Sequence, residues 1–149
     1  MKRAIAITHT ETEPSQTVTL DYDNRHRRRM TMCTDAGVKF LLDLPKPAEL
    51  RDGDDLALED GSFIRVRAAP EALMQARCEN ARHLVRTAWH IGNRHLPCEV
   101  YADHLVLRED HVIAQMLEQL GCTVTRLTAP FNPEGGAYGH GRTHGHDHG

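Results

Sequence analysis

Aromatic residues are scarce in this sequence, 5% against 40% hydrophobic residues overall, so any core must be aliphatic, built from Leu, Val, Ile, Ala and Met. An excess of one charge is also missing. A net charge of −3 with histidine neutral gives no field that would gather nucleic acid or hold an acidic membrane. No long apolar run occurs, and the opening residues from Met1 to Thr10 pass at once into polar sequence. We therefore expect neither signal peptide nor membrane span, and a cytoplasmic protein. The four cysteines, Cys33, Cys78, Cys98 and Cys122, lie far apart without a C-x-x-C pair. That spacing suits neither a zinc finger nor a small disulfide framework, and the expectation is reduced, buried thiols. Enzyme signatures are absent as well: no H-E-x-x-H, no Walker loop, no G-x-S-x-G, no cysteine nucleophile with an identifiable base. The sequence is not that of an enzyme by any of these tests.

What the chain has in quantity is histidine, eleven residues of 149. Four of them, His140, His144, His146 and His148, are interleaved with glycine at the C-terminal end, and Asp147 adds a carboxylate. Imidazole suits nickel, copper and zinc, and glycine lets the backbone wrap an ion at little steric cost. An expression tag is normally a plain histidine run, whereas this irregular pattern grows out of Gly135-Gly136-Ala137-Tyr138. From Asn132 onward almost nothing apolar is available to offset the ordering entropy, so a disordered metal-binding tail is expected over residues 132–149. Donors on such a tail favour capture and release over catalysis, since a catalytic zinc keeps its ligands on rigid elements around one open position.

Upstream, the pattern is strand-rich. Thr17 to Tyr22 alternates, Asp23-Asn24 offers turn chemistry, and a second alternating run reaches Met32, which predicts a hairpin. Val38 to Leu42 reads as a strand stopped by Pro45 and Pro47. Leu56 to Leu58, the turn Glu59-Asp60-Gly61-Ser62, and Phe63 to Val66 form another strand-turn-strand unit. Arg25 to Arg29, basic but without interleaved aromatics, reads as a solvated strand edge and not as a nucleic-acid patch. At Ala68-Ala69-Pro70-Glu71 the grammar changes, which places a domain boundary there, with an all-β domain over residues 1–70.

Beyond it, a strand from Ala72 to Cys78 precedes a helix capped by Asn80, with Leu84, Val85, Ala88 and Ile91 on one face and Gly92 as terminator. Extended chain from Val100 to Leu107, broken near Asp103, leads to a second helix capped by Asp110 and carrying Val112, Ile113, Met116, Leu117 and Leu120. A strand from Cys122 to Leu127 completes β-α-β-β-α-β, the split arrangement of ferredoxin-like domains, over residues 71–131. The fold class is thus α+β in two domains plus a tail. Three further histidine settings stand out. His95, in Gly92-Asn93-Arg94-His95-Leu96-Pro97, occupies a helix-to-strand junction where a ring nitrogen can reach solvent, a metal or a second subunit; a loop histidine by itself is more often a surface residue. His111 follows Glu109-Asp110 at a helix start and by itself simply faces water. His83 and His90, seven apart on the first helix, read as packing residues.

Together Ile91 to Pro97, Asp110-His111-Val112, Gly121 to Thr125, Pro130 to Tyr138, the His-rich end, Leu42-Asp43-Leu44-Pro45 and Leu50 to Gly61 resemble the UreE-type urease accessory proteins, over nearly the whole chain. The resemblance implies a nickel metallochaperone with an N-terminal domain similar to a chaperone peptide-binding domain. Its ferredoxin-like C-terminal domain would pair two subunits. It implies that His95 from each subunit meets at the dimer interface on one shared Ni²⁺, and that His111 forms a peripheral site. Some members carry a further histidine where Glu109 stands, so the peripheral site is expected either to use this carboxylate in its place or to be weakened. The implied partners are apo-urease and its maturation complex with the accessory GTPase. Zn²⁺ and Cu²⁺ are also accepted by such donors, and binding should weaken as pH falls through about 6.5, where imidazole protonates. The rival readings are a passive nickel, zinc or copper buffer, a peptide-binding assembly module with incidental metal, and, disfavoured by the missing motifs, a metallohydrolase.

Overall fold

The structure, a computed structural model, describes residues 1–135. Its described residues separate into two compact units, Met1–Ala69 and Pro70–Gly135.

The first unit is a six-stranded sheet of β1 (Lys2–Thr8), β2 (Gln16–Leu20), β3 (His26–Cys33), β4 (Lys39–Glu49), β5 (Asp55–Leu58) and β6 (Phe63–Ala68), in the order β2-β6-β5-β1-β4-β3. Alternation along these strands turns Val18, Phe40, Leu42, Leu56, Ile64 and Val66 into one apolar core, mostly aliphatic. The β5–β6 hairpin is as expected, with Gly61 taking the left-handed conformation (φ 88°) that its turn requires.

The hairpin expected between Thr17–Tyr22 and the run to Met32 does not form. β2 pairs with β6 in parallel, while β3 pairs antiparallel with β4. The short 3-10 turn Asp23–Arg25 sends the chain away, because Arg25 is drawn wholly inside, donating through Nη1 to the Leu50 carbonyl at 3.3 Å. Only His26 to Arg29 fit the solvated-edge reading, on β3 at the end of the strand order. The prolines do not end β4 either. Its register against β3 jumps from Arg29↔Asp43 to Arg27↔Ala48, so Pro45 and Pro47 fall in a stretch where no ladder bond to β3 is required of them.

The second unit carries β7 (Pro70–Arg77), α1 (Ala81–Asn93), β8 (Glu99–Val100), β9 (His104–Arg108), α2 (His111–Gln119) and β10 (Thr123–Pro130), an antiparallel sheet in the order β10-β7-β9-β8. Both helices begin where their caps predict. The Asn80 side chain accepts the His83 N–H at 2.8 Å, and Asp110 accepts from Val112 and Ile113 at 2.9 and 3.1 Å. Met74, Ala76, Leu105 and Leu107 pack with Ile91 and Leu117. Val85 and Val112, expected on the packed faces, are exposed instead; the inner stripe of α1 runs through Leu84, Ala88 and Ile91.

The folded chain continues past β10. The Asn132 N–H donates to Glu99 Oε2 and the Glu134 N–H to the Cys98 carbonyl, both at 2.8 Å. Since β10 and β8 are opposite edges of the sheet, residues 131–134 span it from edge to edge. Phe131 and Pro133 are buried, as are Leu73 and Val106, which alternation turns away from the helices. Asn132 to Glu134, expected to open the tail, thus belong to the folded unit because these two apolar side chains anchor them. His140, His144, His146, His148 and Asp147, with the expected disorder, lie outside the described residues.

Candidate metal centre

His95 is positioned by the way α1 ends. The His95 N–H reaches the Gly92 carbonyl at 3.0 Å and the Leu96 N–H reaches the Ile91 carbonyl at 3.2 Å, the paired closure of a helix whose next residue turns left-handed. That residue is His95, with φ 57°, the sole non-glycine residue at positive φ among those described. Gly92, expected as terminator, lies inside the helix, so the conformation glycine favours falls on a histidine three positions later. A β-carbon in this region costs on the order of 1–2 kcal/mol. Leu96, half-buried against the core, holds the turn down, while the His95 side chain stands exposed.

The loop after His95 and the start of α2 share a cleft. Leu96, Pro97, Leu107, Arg108, Glu109, Asp110 and Ile113 line a cavity of about 310 Å³. His111, first residue of α2, is exposed beside it. Glu109 is less available than a bare carboxylate, because its Oε1 lies 3.0 Å from Arg126 Nε on β10. Asp110 is held by the two helix N–H groups. The cleft thus lies between the residues that follow His95 and those that precede His111; neither histidine lines it, and His95 belongs to no group of three close donors among the described residues.

The three donors that do converge are others: Cys78, His83 and Cys122, whose ligand atoms lie within 4.8 Å of one another. Residue spacing gave no hint of this, because 44 positions separate the two cysteines and only the β7–β10 pairing brings them together. His83 is less a ligand than a latch. Its Nδ1 accepts the Glu79 N–H at 3.0 Å, which leaves the proton on Nε2, donated to the Leu120 carbonyl at 2.7 Å. Of the remaining thiols, Cys98 is half-buried, and Cys33 is exposed, against the expectation of burial. Burial, then Glu134 and Glu99, push the Cys98 thiol above its usual range.

Near the end of β7, Asp103 accepts from His104 Nδ1 at 2.6 Å and from Arg77, and these two bonds hold its carboxyl below the usual carboxylate range. His104 also stacks on Tyr101, with ring centroids 4.5 Å apart. This is a packed turn and not a donor set. No described helix is long and apolar enough to cross a membrane.

Comparison with known proteins agrees with this layout. The family model described as UreE urease accessory protein, N-terminal domain, matches residues 2–69, and that described as UreE urease accessory protein, C-terminal domain, matches residues 71–149. A relative from Chelativorans sp. (strain BNC1), named Urease accessory protein UreE, is 55% identical over 130 residues, covering 83% of this chain and 82% of the relative. Proteins of the same name from Rhodopseudomonas palustris (strain HaA2) and Bradyrhizobium sp. (strain ORS 278) are 54% and 53% identical over 115 residues. Those matches cover 77% of this chain but 54% and 55% of the relatives, so the chain spans about half the length of these two. With both family models matched across nearly all of its length, the chain belongs to the UreE urease accessory protein family.

Proposed function

We propose that this protein is a cytoplasmic nickel metallochaperone for urease assembly. Two subunits pair through the C-terminal domain and hold one Ni²⁺ between their His95 side chains; His140, His144, His146 and His148, with Asp147, supply it. The ion passes by ligand exchange to apo-urease through the maturation complex and its GTPase, and no substrate bond is broken. In this reading residues 1–69 are the client-contacting β domain, similar to a peptide-binding domain, 70–135 the ferredoxin-like metal and dimerisation domain, and the residues beyond them the metal-gathering tail. His111, with Glu109 in reserve behind Arg126, forms the peripheral site, and Zn²⁺ or Cu²⁺ binds the same donors.

The observation that carries this reading is the tether at Glu134. Its N–H on the Cys98 carbonyl fixes the root of the tail three residues from His95. Titration calorimetry with Ni²⁺ on the intact protein, on His95→Ala and on protein truncated after Tyr138 tests it. The tightest site should vanish in His95→Ala, and truncation should lower the number of ions bound while leaving that site. A tightest site unchanged by His95→Ala ends the assignment; loss of nearly all binding on truncation favours a passive buffer instead.

Pairing is supported by α1, the helix that leads into the His95 turn. Val85 and Trp89, one turn apart, are 68% and 63% exposed, a costly arrangement for a valine and the chain's only tryptophan unless a partner covers them. Tryptophan is favoured at interface centres, where its truncation typically costs about 2 kcal/mol or more. Trp89→Ala should therefore weaken dimerisation roughly 30-fold in sedimentation experiments. An unchanged dissociation constant would place the interface elsewhere.

A further inference from the structure

We propose that Cys78 and Cys122 are an oxidative modification site, a dithiol that closes to a reversible cross-strand disulfide when a peroxide reaches it. The pairing of β7 with β10 ends at Arg77↔Thr123, and the residue just beyond each strand end is a cysteine. Residues opposite one another on antiparallel strands have Cα atoms about 4.5–5.5 Å apart, inside the window of about 4.4–6.8 Å that a disulfide spans. The two Sγ atoms already lie 3.9 Å apart, and the Thr87 hydroxyl sits 3.8 Å from one and 3.6 Å from the other. Closing the bond requires the two sulfurs to approach from 3.9 Å to the disulfide length of about 2.05 Å.

The neighbouring imidazole argues for a dithiol and against a cation site. His83 Nε2 is 3.8 Å from Cys122 Sγ, but making it a ligand would forfeit both the Glu79 and the Leu120 hydrogen bonds. Peroxide would approach from an open cavity of about 240 Å³ lined among others by Glu79 and Gly121, the chain neighbours of the two cysteines, by Leu120, and by His83, the imidazole 3.8 Å from Cys122 Sγ. Burial raises the Cys122 thiol above its usual range, which lowers its thiolate fraction and slows the reaction, so that it responds to sustained peroxide and not to traces.

The chemistry balances with hydrogen peroxide as oxidant. One thiolate sulfur attacks a peroxide oxygen and the O–O bond breaks, giving a sulfenic acid and, with the thiol proton, one water. The second sulfur attacks the sulfenic sulfur, forming S–S and displacing hydroxide, which takes the second thiol proton as water. Two thiols and one peroxide thus yield one disulfide and two waters. The closed bond joins β7 to β10 beneath α1, the helix that presents His95.

The test uses the full chain carrying Cys33→Ser and Cys98→Ser, metal-free and reduced, exposed to hydrogen peroxide, alkylated and mapped by peptide mass spectrometry. The expected result is a dithiothreitol-reversible peptide linking Cys78 and Cys122. A rise in melting temperature on the order of 10 °C should accompany it, as the constraint on a long loop predicts. The unsubstituted chain, mapped in the same way, guards against misfolding of the double variant. Two thiols that stay alkylatable, or that go separately to sulfinic acids, overturn the proposal. So does reduced protein that retains stoichiometric Zn²⁺ and loses it on Cys78→Ser, which would make the cluster a cation site.

Discussion

Asp55→Ala should destabilise the N-terminal unit by about 3 kcal/mol, the lower end of the range for removing one partner of a buried ion pair. Asp55 is fully buried, and its two oxygens accept from Arg65 Nε at 2.8 Å, Arg65 Nη2 at 3.3 Å and the Thr10 N–H at 2.9 Å. The Asp55 hydrogen bond, the foremost of several causes, holds the Arg65 guanidinium still more firmly in its charged form. The same guanidinium reaches the carbonyls of Thr10 at 2.9 Å and Thr12 at 3.1 Å, so one carboxylate anchors the β5–β6 hairpin to the segment after β1. Its loss also strands the Thr10 amide. The low end applies because Arg65 keeps 17% of its side chain in solvent and can turn outward. At about 4–8 °C per kcal/mol for a unit of this size, scanning calorimetry should show a fall of over 10 °C in the transition of this unit. A fall of only a few degrees would mean the pair is worth no more than a surface contact.

That network also shows where sequence reading stops. Asp55 and Arg65 are ten positions apart on two strands, and no local pattern marks them as partners. Local signals were legible: the Asn80 and Asp110 caps, the turn at Gly61, the Leu84, Ala88 and Ile91 stripe of α1, though not the exposure of Val85, and the β-α-β-β-α-β order. Each depends on residues a few positions apart. The hidden features depend on distant pairing. β2 lies beside β6 and not β3; Pro45 and Pro47 are tolerated because a register jump frees them from the ladder; Cys78 meets Cys122 only through the β7–β10 pairing. The site divides in the same way. His95 and His111 are proposed from motif resemblance, whereas the ion pair that engages Glu109 had no sequence signal, since Arg126 is on another strand. Nor was the role of Asn132 to Glu134, whose composition reads as linker until Phe131 and Pro133 are seen to be buried.

Replacing His95 by glycine should make the C-terminal unit more stable by about 1 kcal/mol while removing its tightest metal site, a trade that alanine cannot reproduce. The reason is the left-handed backbone at φ 57°. Histidine and alanine both carry a β-carbon there and bear a similar cost, so His95→Ala tests the ligand with the backbone penalty unchanged. Glycine relieves that penalty at the helix end, where it is the residue most often found in this conformation. Urea unfolding of metal-free protein, followed through Trp89 fluorescence within the same unit, should rank Gly above His and Ala, with the latter two close together. Nickel calorimetry should find the tightest site absent from both variants. Equal stability of Gly and Ala would show that the turn stores no strain, and a tight site surviving in either would remove His95 from the centre. If both results hold, the strain at the end of α1 is maintained for the imidazole it presents, because glycine would serve the fold better and leave the metal nothing to bind.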